Sequence, residues 1–336
     1  MAGVLPLNEQ RLQPLSTPEQ FASAHAGQWA LSWERFRRQK RGMVGIFTLA
    51  LLVAAVIMIP MLSPFGVETP SGGVPFEPMG VQDHQKLGYV HLLGTDMRSR
   101  DELVRLAYGG RLSLSLALLS TAALVVVGVV IGAVAGVYGG WVDSMLMRLA
   151  DLMLALPLLP MYVIALRLFA TASVRGQPID IVHEVAKMGF VFVLFGWMGI
   201  SRLVRGSIIT LRERAFVEAA RALGAADRQI LFKHLLPNSL APVIVAASFA
   251  VGDLIIWESV LAYFAQGIED YISPTWGNMA AGAEFFLDTL ISNPNPFQEI
   301  RGFDLLFPIV LIFVTVLSCN YIGDALRDAL DPRNKA

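Results

Sequence analysis

The sequence predicts an all-α polytopic membrane protein with six transmembrane helices. Three observations carry this reading. Only 16% of the 336 residues are charged and 55% are hydrophobic, with a mean hydropathy of +0.57, whereas a soluble domain carries about 25% charged residues. Apolar runs of about 20 residues recur along the chain, the length that crosses a bilayer as a helix. Basic residues gather at the flanks of these runs, as they do at cytoplasmic membrane faces.

Residues 1–42 read as a tail with an interfacial amphipathic helix over 17–41. Ser16 and Glu19 have capping-box spacing, with Pro18 near the first helical position. Trp29, Trp33 and Phe36 alternate with Arg35, Arg37, Arg38, Lys40 and Arg41, the pattern of a helix lying at the membrane surface. The N-terminus lacks the basic-then-apolar order of a cleaved signal peptide. The first span, 43–62, carries no charge. An external loop is expected over 63–111, irregular where Pro70, Gly72, Gly73, Pro75 and Pro78 cluster.

A core of five further spans fills 112–322. The second span, 112–138, repeats Gly128, Gly132 and Gly136 every four residues, a spacing that lets helices approach closely in lipid. The third, 145–170, has Arg148 and Asp151 placed to pair on one face, and Pro157 and Pro160 predict a kink. The fourth covers 188–211, the fifth 239–265 and the sixth 304–322. An external segment, 266–303, and a cytoplasmic tail, 323–336, complete the chain. The basic cluster before the first span places the N-terminus in the cytoplasm, and six spans return the C-terminus there. The basic 202–238 segment agrees. Arg98, Arg100, Arg105 and Arg111 would then lie outside, against the usual bias, partly offset by Asp96, Asp101 and Glu102.

Between spans four and five runs EAARALGAADRQILFKHLLPN, residues 218–238. Phe216, Ala219, Ala220 and Leu223 fall at helical spacing, and Gly224 stands where a helix end with positive φ is wanted. Asp227 favours the start of a second helix, whose one face carries Ile230, Leu231, His234 and Leu235 and which Pro237 helps to end. Two short amphipathic helices joined by a tight bend must pack on their own chain or dock in a partner's groove.

Several classes are excluded. No Gly-x-x-x-x-Gly-Lys-Ser/Thr loop occurs, so the chain is not expected to hydrolyse ATP. Cys319 stands alone, the five histidines are scattered, and no Ser-His-Asp arrangement is apparent. The net charge of −1 gives no sign of nucleic-acid binding.

Glu218-Ala219-Ala220, three residues, Gly224, then Leu236-Pro237 resembles the "EAA" loop of membrane permease subunits in binding-protein-dependent ABC importers. His234-Leu-Leu-Pro-Asn238 is similar to the peptide and nickel branch of that family. His91-Leu-Leu-Gly94-Thr95-Asp96 with Arg100-Asp101 resembles a further segment of that branch, with Ser99 standing where the pattern has Gly. Gly139-Gly140-Trp141-Val-Asp143, followed by Arg148 and Asp151, looks like the turn between the family's second and third spans. Glu258 with Leu261, Gly267, Pro274, Trp276 and Gly277 resembles the segment leaving span five, although Ala262-Tyr263-Phe264-Ala265 replaces Ser-Phe-Leu-Gly. Asn320, Gly323-Asp324 and Arg327-Asp328-Ala-Leu-Asp331-Pro332-Arg333 resemble the C-terminal signature. The likeness runs from about 35 to 333 and is nearest to the C-type subunit.

The resemblance implies a type I ABC importer permease-like fold in a bacterial or archaeal cytoplasmic membrane. It implies a second homologous permease, two P-loop ATPases that hold ATP and Mg, and an extracytoplasmic substrate-binding protein as partners. Residues 212–237 would be the coupling loop. Its expected contacts with the ATPase are Phe216, Glu218, Ala219, Ala220, Arg221, Leu223, Gly224, Ile230, Leu231, Leu236 and Pro237. Asp253, Glu258 and Trp276 are candidates for the pore or external gate. Asp253 is either pore-facing or a structural carboxylate paired with Arg167 or Arg202. Di- or oligopeptides are the expected cargo. The same branch also handles nickel chelates, glutathione-like compounds and oligosaccharides. An ATP-independent channel or secondary transporter is the reading of another class, and it predicts inverted repeats and charged relays.

Overall fold

The computed structural model describes residues 28–70, 79–83, 89–96, 98–170, 181–264, 266–268, 273–281 and 303–331. Eleven helices and one small hairpin are named here: α1 (Gln28–Arg38), α2 (Lys40–Leu62), β1 (Val81–Gln82), β2 (Val90–His91), α3 (Glu102–Tyr138), α4 (Gly140–Ala155), α5 (Leu158–Ala170), α6 (Ile181–Arg212), α7 (Ala215–Ala222), α8 (Asp227–Ile230), α9 (Leu236–Tyr263), α10 (Trp276–Ala281) and α11 (Phe303–Leu330). Among the described residues, five helical runs are long and apolar enough to cross a membrane, and the bent pair α4–α5 makes a sixth if it counts as one span.

The chain turns from α1 into α2 at Gln39, whose backbone is extended. Phe36 is buried against Ala325 and Ala329 of α11, and Trp33 stacks on it with ring centroids 5.7 Å apart while staying exposed. The expected helix over 17–41 is therefore observed from Gln28, and its proposed cap at Ser16, Pro18 and Glu19 lies outside the described residues.

The second span begins ten residues before its expected start, so Arg105 and Arg111 belong to α3 and not to a loop. Its start is set by Asp101, which accepts the Val104 N–H at 2.9 Å, a cap that satisfies an otherwise orphaned donor. His91 is buried in front of this cap, with Nδ1 2.7 Å from Asp101 Oδ2 and Nε2 3.0 Å from Asp83 Oδ2. The Tyr89 hydroxyl donates to Asp101 at 3.1 Å, and burial pushes its phenol up from the ordinary value. Ser99 adopts φ +58°, alone among the described non-glycine residues in having positive φ. The position that the family pattern fills with Gly thus keeps a glycine-like backbone.

α3 and α6 form the centre of the fold. Gly128, Gly132 and Gly136 face α6, and a β-carbon on Gly132 would sit 2.4 Å from the Ser201 carbonyl oxygen. The expected close helix approach is present, and it needs the absent side chains. At the end of α3, Arg212 Nη1 donates to the carbonyls of Gly136 and Val137, both at 3.0 Å.

The third span departs from expectation. Pro157 breaks the run instead of kinking it: Leu156 before it is extended, and α4 and α5 meet at 96°. A residue preceding proline is pushed out of the helical region, and here both prolines fall at the junction. Asp151 does not pair with Arg148. It pairs with Arg202 of α6, and Asp143 takes a bidentate contact from Arg205, with the Nη2–Oδ2 bond at 2.6 Å. Tertiary partners thus replace the local one. The last span also outruns its expected end, since α11 continues to Leu330 into the expected tail.

Candidate functional site

α7 is only eight residues long, entered through an extended Arg214. Its exit is a fixed bend. Gly224 has φ +86°, the Ala225 N–H donates to Ala220 O at 3.0 Å, and the Gly224 N–H donates to Arg221 O at 3.0 Å. This is the Schellman arrangement, which satisfies the last carbonyls of a helix and favours Gly at the left-handed position. α8 follows, with Asp227 in its first turn and Arg221 Nη2 3.7 Å from Asp227 Oδ1 across the bend.

The second short helix does not stop at Pro237. A π-helical turn over Leu231–Leu235 carries α8 directly into α9, so Asp227–Tyr263 is one helical run. Pro237 follows directly on this π-turn, where the Leu236 N–H donates to Leu231 O in the wider pattern, so the proline that was expected to end the helix lies inside the run. The second short helix is thereby a continuous extension of span five.

The expected docking residues separate into two sets. Ile230 is buried in the chain's own core, as is Val217, which is not one of the expected contacts, and Ala220, Leu231 and Leu236 are half-buried. Phe216, Glu218, Ala219, Arg221, Leu223, Gly224 and Pro237 are exposed, Leu223 to 89%. Ile230 is therefore a packing residue and not a free anchor. The exposed edge also includes Phe232, with the Arg228 guanidinium 6.0 Å from its ring centroid. Phe232 is not legible in the sequence as part of this edge, because it lies off the face that Ile230, Leu231, His234 and Leu235 define.

Glu258 and Trp276 lie together, both buried in the interior of this chain. Glu258 is 1% exposed and accepts the Thr275 hydroxyl at 2.5 Å, the Ser113 hydroxyl at 3.3 Å and the Gly277 N–H. The Trp276 N–H donates to Ser113 Oγ at 3.1 Å and its indole N–H to the Leu106 carbonyl at 2.9 Å. This node pins α10 to α3 and α9, and its members come from three separated segments. Asp253 is apart from it, exposed on α9. Neither expected arginine reaches it: Arg167 donates to Gln266 Oε1 at 2.9 Å and Arg202 pairs with Asp151. Among the described residues no group of three His, Cys, Asp or Glu side chains is placed to hold a metal ion.

A family model described as the binding-protein-dependent transport system inner membrane component matches residues 128–336, more than half of the chain. The chain belongs to this family. A second model, the N-terminal TM domain of oligopeptide transport permease C, matches residues 27–74 of this inner membrane component. The oligopeptide transport system permease protein of Haemophilus influenzae is 32% identical over 310 residues, covering 91% of this chain and 89% of that protein. The dipeptide transport system permease protein of Alkalihalophilus pseudofirmus is 31% identical over 339 residues, covering 98% and 100%. The glutathione transport system permease protein of Pectobacterium atrosepticum is 32% identical over 313 residues, covering 92% of each. The inner membrane component described here is thus a multi-pass transport subunit.

Proposed function

We propose that this permease forms one of the two membrane halves of an ATP-driven importer for di- or oligopeptides. A second homologous permease, two P-loop ATPases holding ATP and Mg, and an extracytoplasmic binding protein complete it. Both termini and the α7–α8 loop face the cytoplasm, in keeping with the basic residues at the start of α2 and across 202–238. The relatives named for oligopeptide and dipeptide transport support the cargo class.

One observation carries the mechanical part. The exposed edge joins Phe232, on the run Asp227–Tyr263 that continues without interruption into α9, to Phe216 and Leu223 of α7, which the Gly224 bend ties to the start of that run. An ATPase that grips this edge and closes on ATP would tilt α9 as a lever. At the far end of the same helix, Glu258 holds Thr275 and Gly277 of the external segment. The tilt would reach the face where a binding protein delivers cargo. Rigid-body movement then exchanges inward and outward access.

The test is uptake of a labelled tripeptide into proteoliposomes holding the complete complex, with binding protein and ATP. ATP-dependent, binding-protein-stimulated uptake is expected. Uptake indifferent to ATP and to the ATPase would overturn the proposal.

A further inference from the structure

We infer that Asp253 is a contact in the translocation pathway for a cationic group on the cargo, an ammonium or a guanidinium. This rests on the reading of the chain as a peptide permease and names what that permease recognises. Asp253 lies ten residues before the end of α9 at Tyr263, about 15 Å below its outer end at 1.5 Å rise per residue. It is exposed there, and it accepts no hydrogen bond from any described residue. A carboxylate at this depth facing lipid is costly, which is why such groups face a water-filled cavity or a cationic partner.

The contrast with Glu258 on the same helix is informative. That carboxylate is buried and surrounded by three donors, so a structural acid in this helix is fully served. Asp253 is served by none of the described residues. Helical spacing puts Ala246, Phe249, Ile256 and Val260 on its face, and none of them is charged. A single fixed negative charge on an otherwise apolar face attracts one positive group without gripping the remainder of a molecule. A peptide offers such a group at its N-terminus or on a Lys or Arg side chain.

Two measurements on the complete complex test this. The first places a cysteine by D253C in a C319A background and treats vesicles with a charged, membrane-impermeant thiol reagent. Labelling is expected, and its absence would overturn the pathway placement. The second compares uptake of a tripeptide with a free N-terminus, its N-acetylated form, and an N-acetylated form containing lysine. The wild-type complex should prefer cationic over acetylated neutral cargo by roughly tenfold, the scale of one charge-assisted hydrogen bond. That ratio should fall to near one in D253N and persist in D253E. Rescue of acetylated cargo by lysine would show that any ammonium serves, and its failure would assign the contact to the N-terminus. A preference unchanged in D253N overturns this inference alone. Absence of ATP-driven uptake in the wild type overturns the importer reading and this inference with it.

Discussion

Arg111 Nε donates to the Val56 carbonyl oxygen at 2.9 Å, and Val56 is the residue whose carbonyl Pro60 leaves without an intrahelical donor. A second bond, Arg111 Nη2 to Ile57 O at 2.8 Å, caps the next carbonyl. Proline inside a membrane helix is tolerated where a neighbour satisfies the freed groups. R111M should therefore lower the thermal midpoint of the purified protein, by about 1–3 kcal/mol in stability. The loss should shrink on a P60A background, because P60A restores a backbone donor to Val56. Equal losses in both backgrounds would refute the pairing.

Gly132 tests the centre of the fold. A β-carbon there meets the Ser201 carbonyl oxygen, which belongs to helix backbone and cannot swing aside. G132V should cost on the order of 1–3 kcal/mol or prevent folding, seen as loss of a monodisperse peak in mild detergent. G199A is the control. Gly199 lies on α6 with no atom within 4 Å of an added β-carbon, so G199A should elute and melt as the wild type does or slightly better.

Glu258 can be judged by two substitutions of different size. E258A leaves the Ser113 and Thr275 hydroxyls and the Gly277 N–H without their acceptor, at about 1–3 kcal/mol for each group left unsatisfied. E258Q keeps the shape and one carbonyl oxygen, so it should lose less. A melt series that ranks E258Q below E258A would show that the negative charge, and not the hydrogen-bond count, holds α10 in place.

Ser99 should respond in the opposite direction. Its φ of +58° suits glycine, and a side chain in the left-handed region costs about 1 kcal/mol. S99G is expected to raise the thermal midpoint by a few degrees. A fall would mean that the Ser99 side chain contributes more than its backbone costs.

Much of this fold can be read from pattern alone. The spans, the glycine repeat of α3 and the left-handed bend at Gly224 each follow from local residue chemistry. The departures arise where distant groups decide. Arg105 and Arg111 looked like external loop charges, because the Asp101 cap and the carbonyls of α2 that employ the latter are far apart in sequence. Asp151 chose Arg202 over Arg148 for the same reason. The spacing of Phe216, Ala219, Ala220 and Leu223 marks an apolar face of α7 but leaves out Val217, which is also apolar and next to Phe216 in the chain. Only packing shows that Val217 faces inward and Phe216 outward. The Glu258 node draws on residues 106, 113, 258 and 275–277, and no spacing rule joins them.

Site-directed photo-crosslinking tests most directly the proposal that the Phe216–Leu223–Phe232 edge docks on an ATPase. A photo-reactive amino acid would be placed in turn at Leu223, 89% exposed, and at Val217, 0% exposed, in the assembled complex. The account predicts an adduct between position 223 and a P-loop ATPase, with none from position 217. Adducts from position 223 only to lipid or to this chain itself would contradict it.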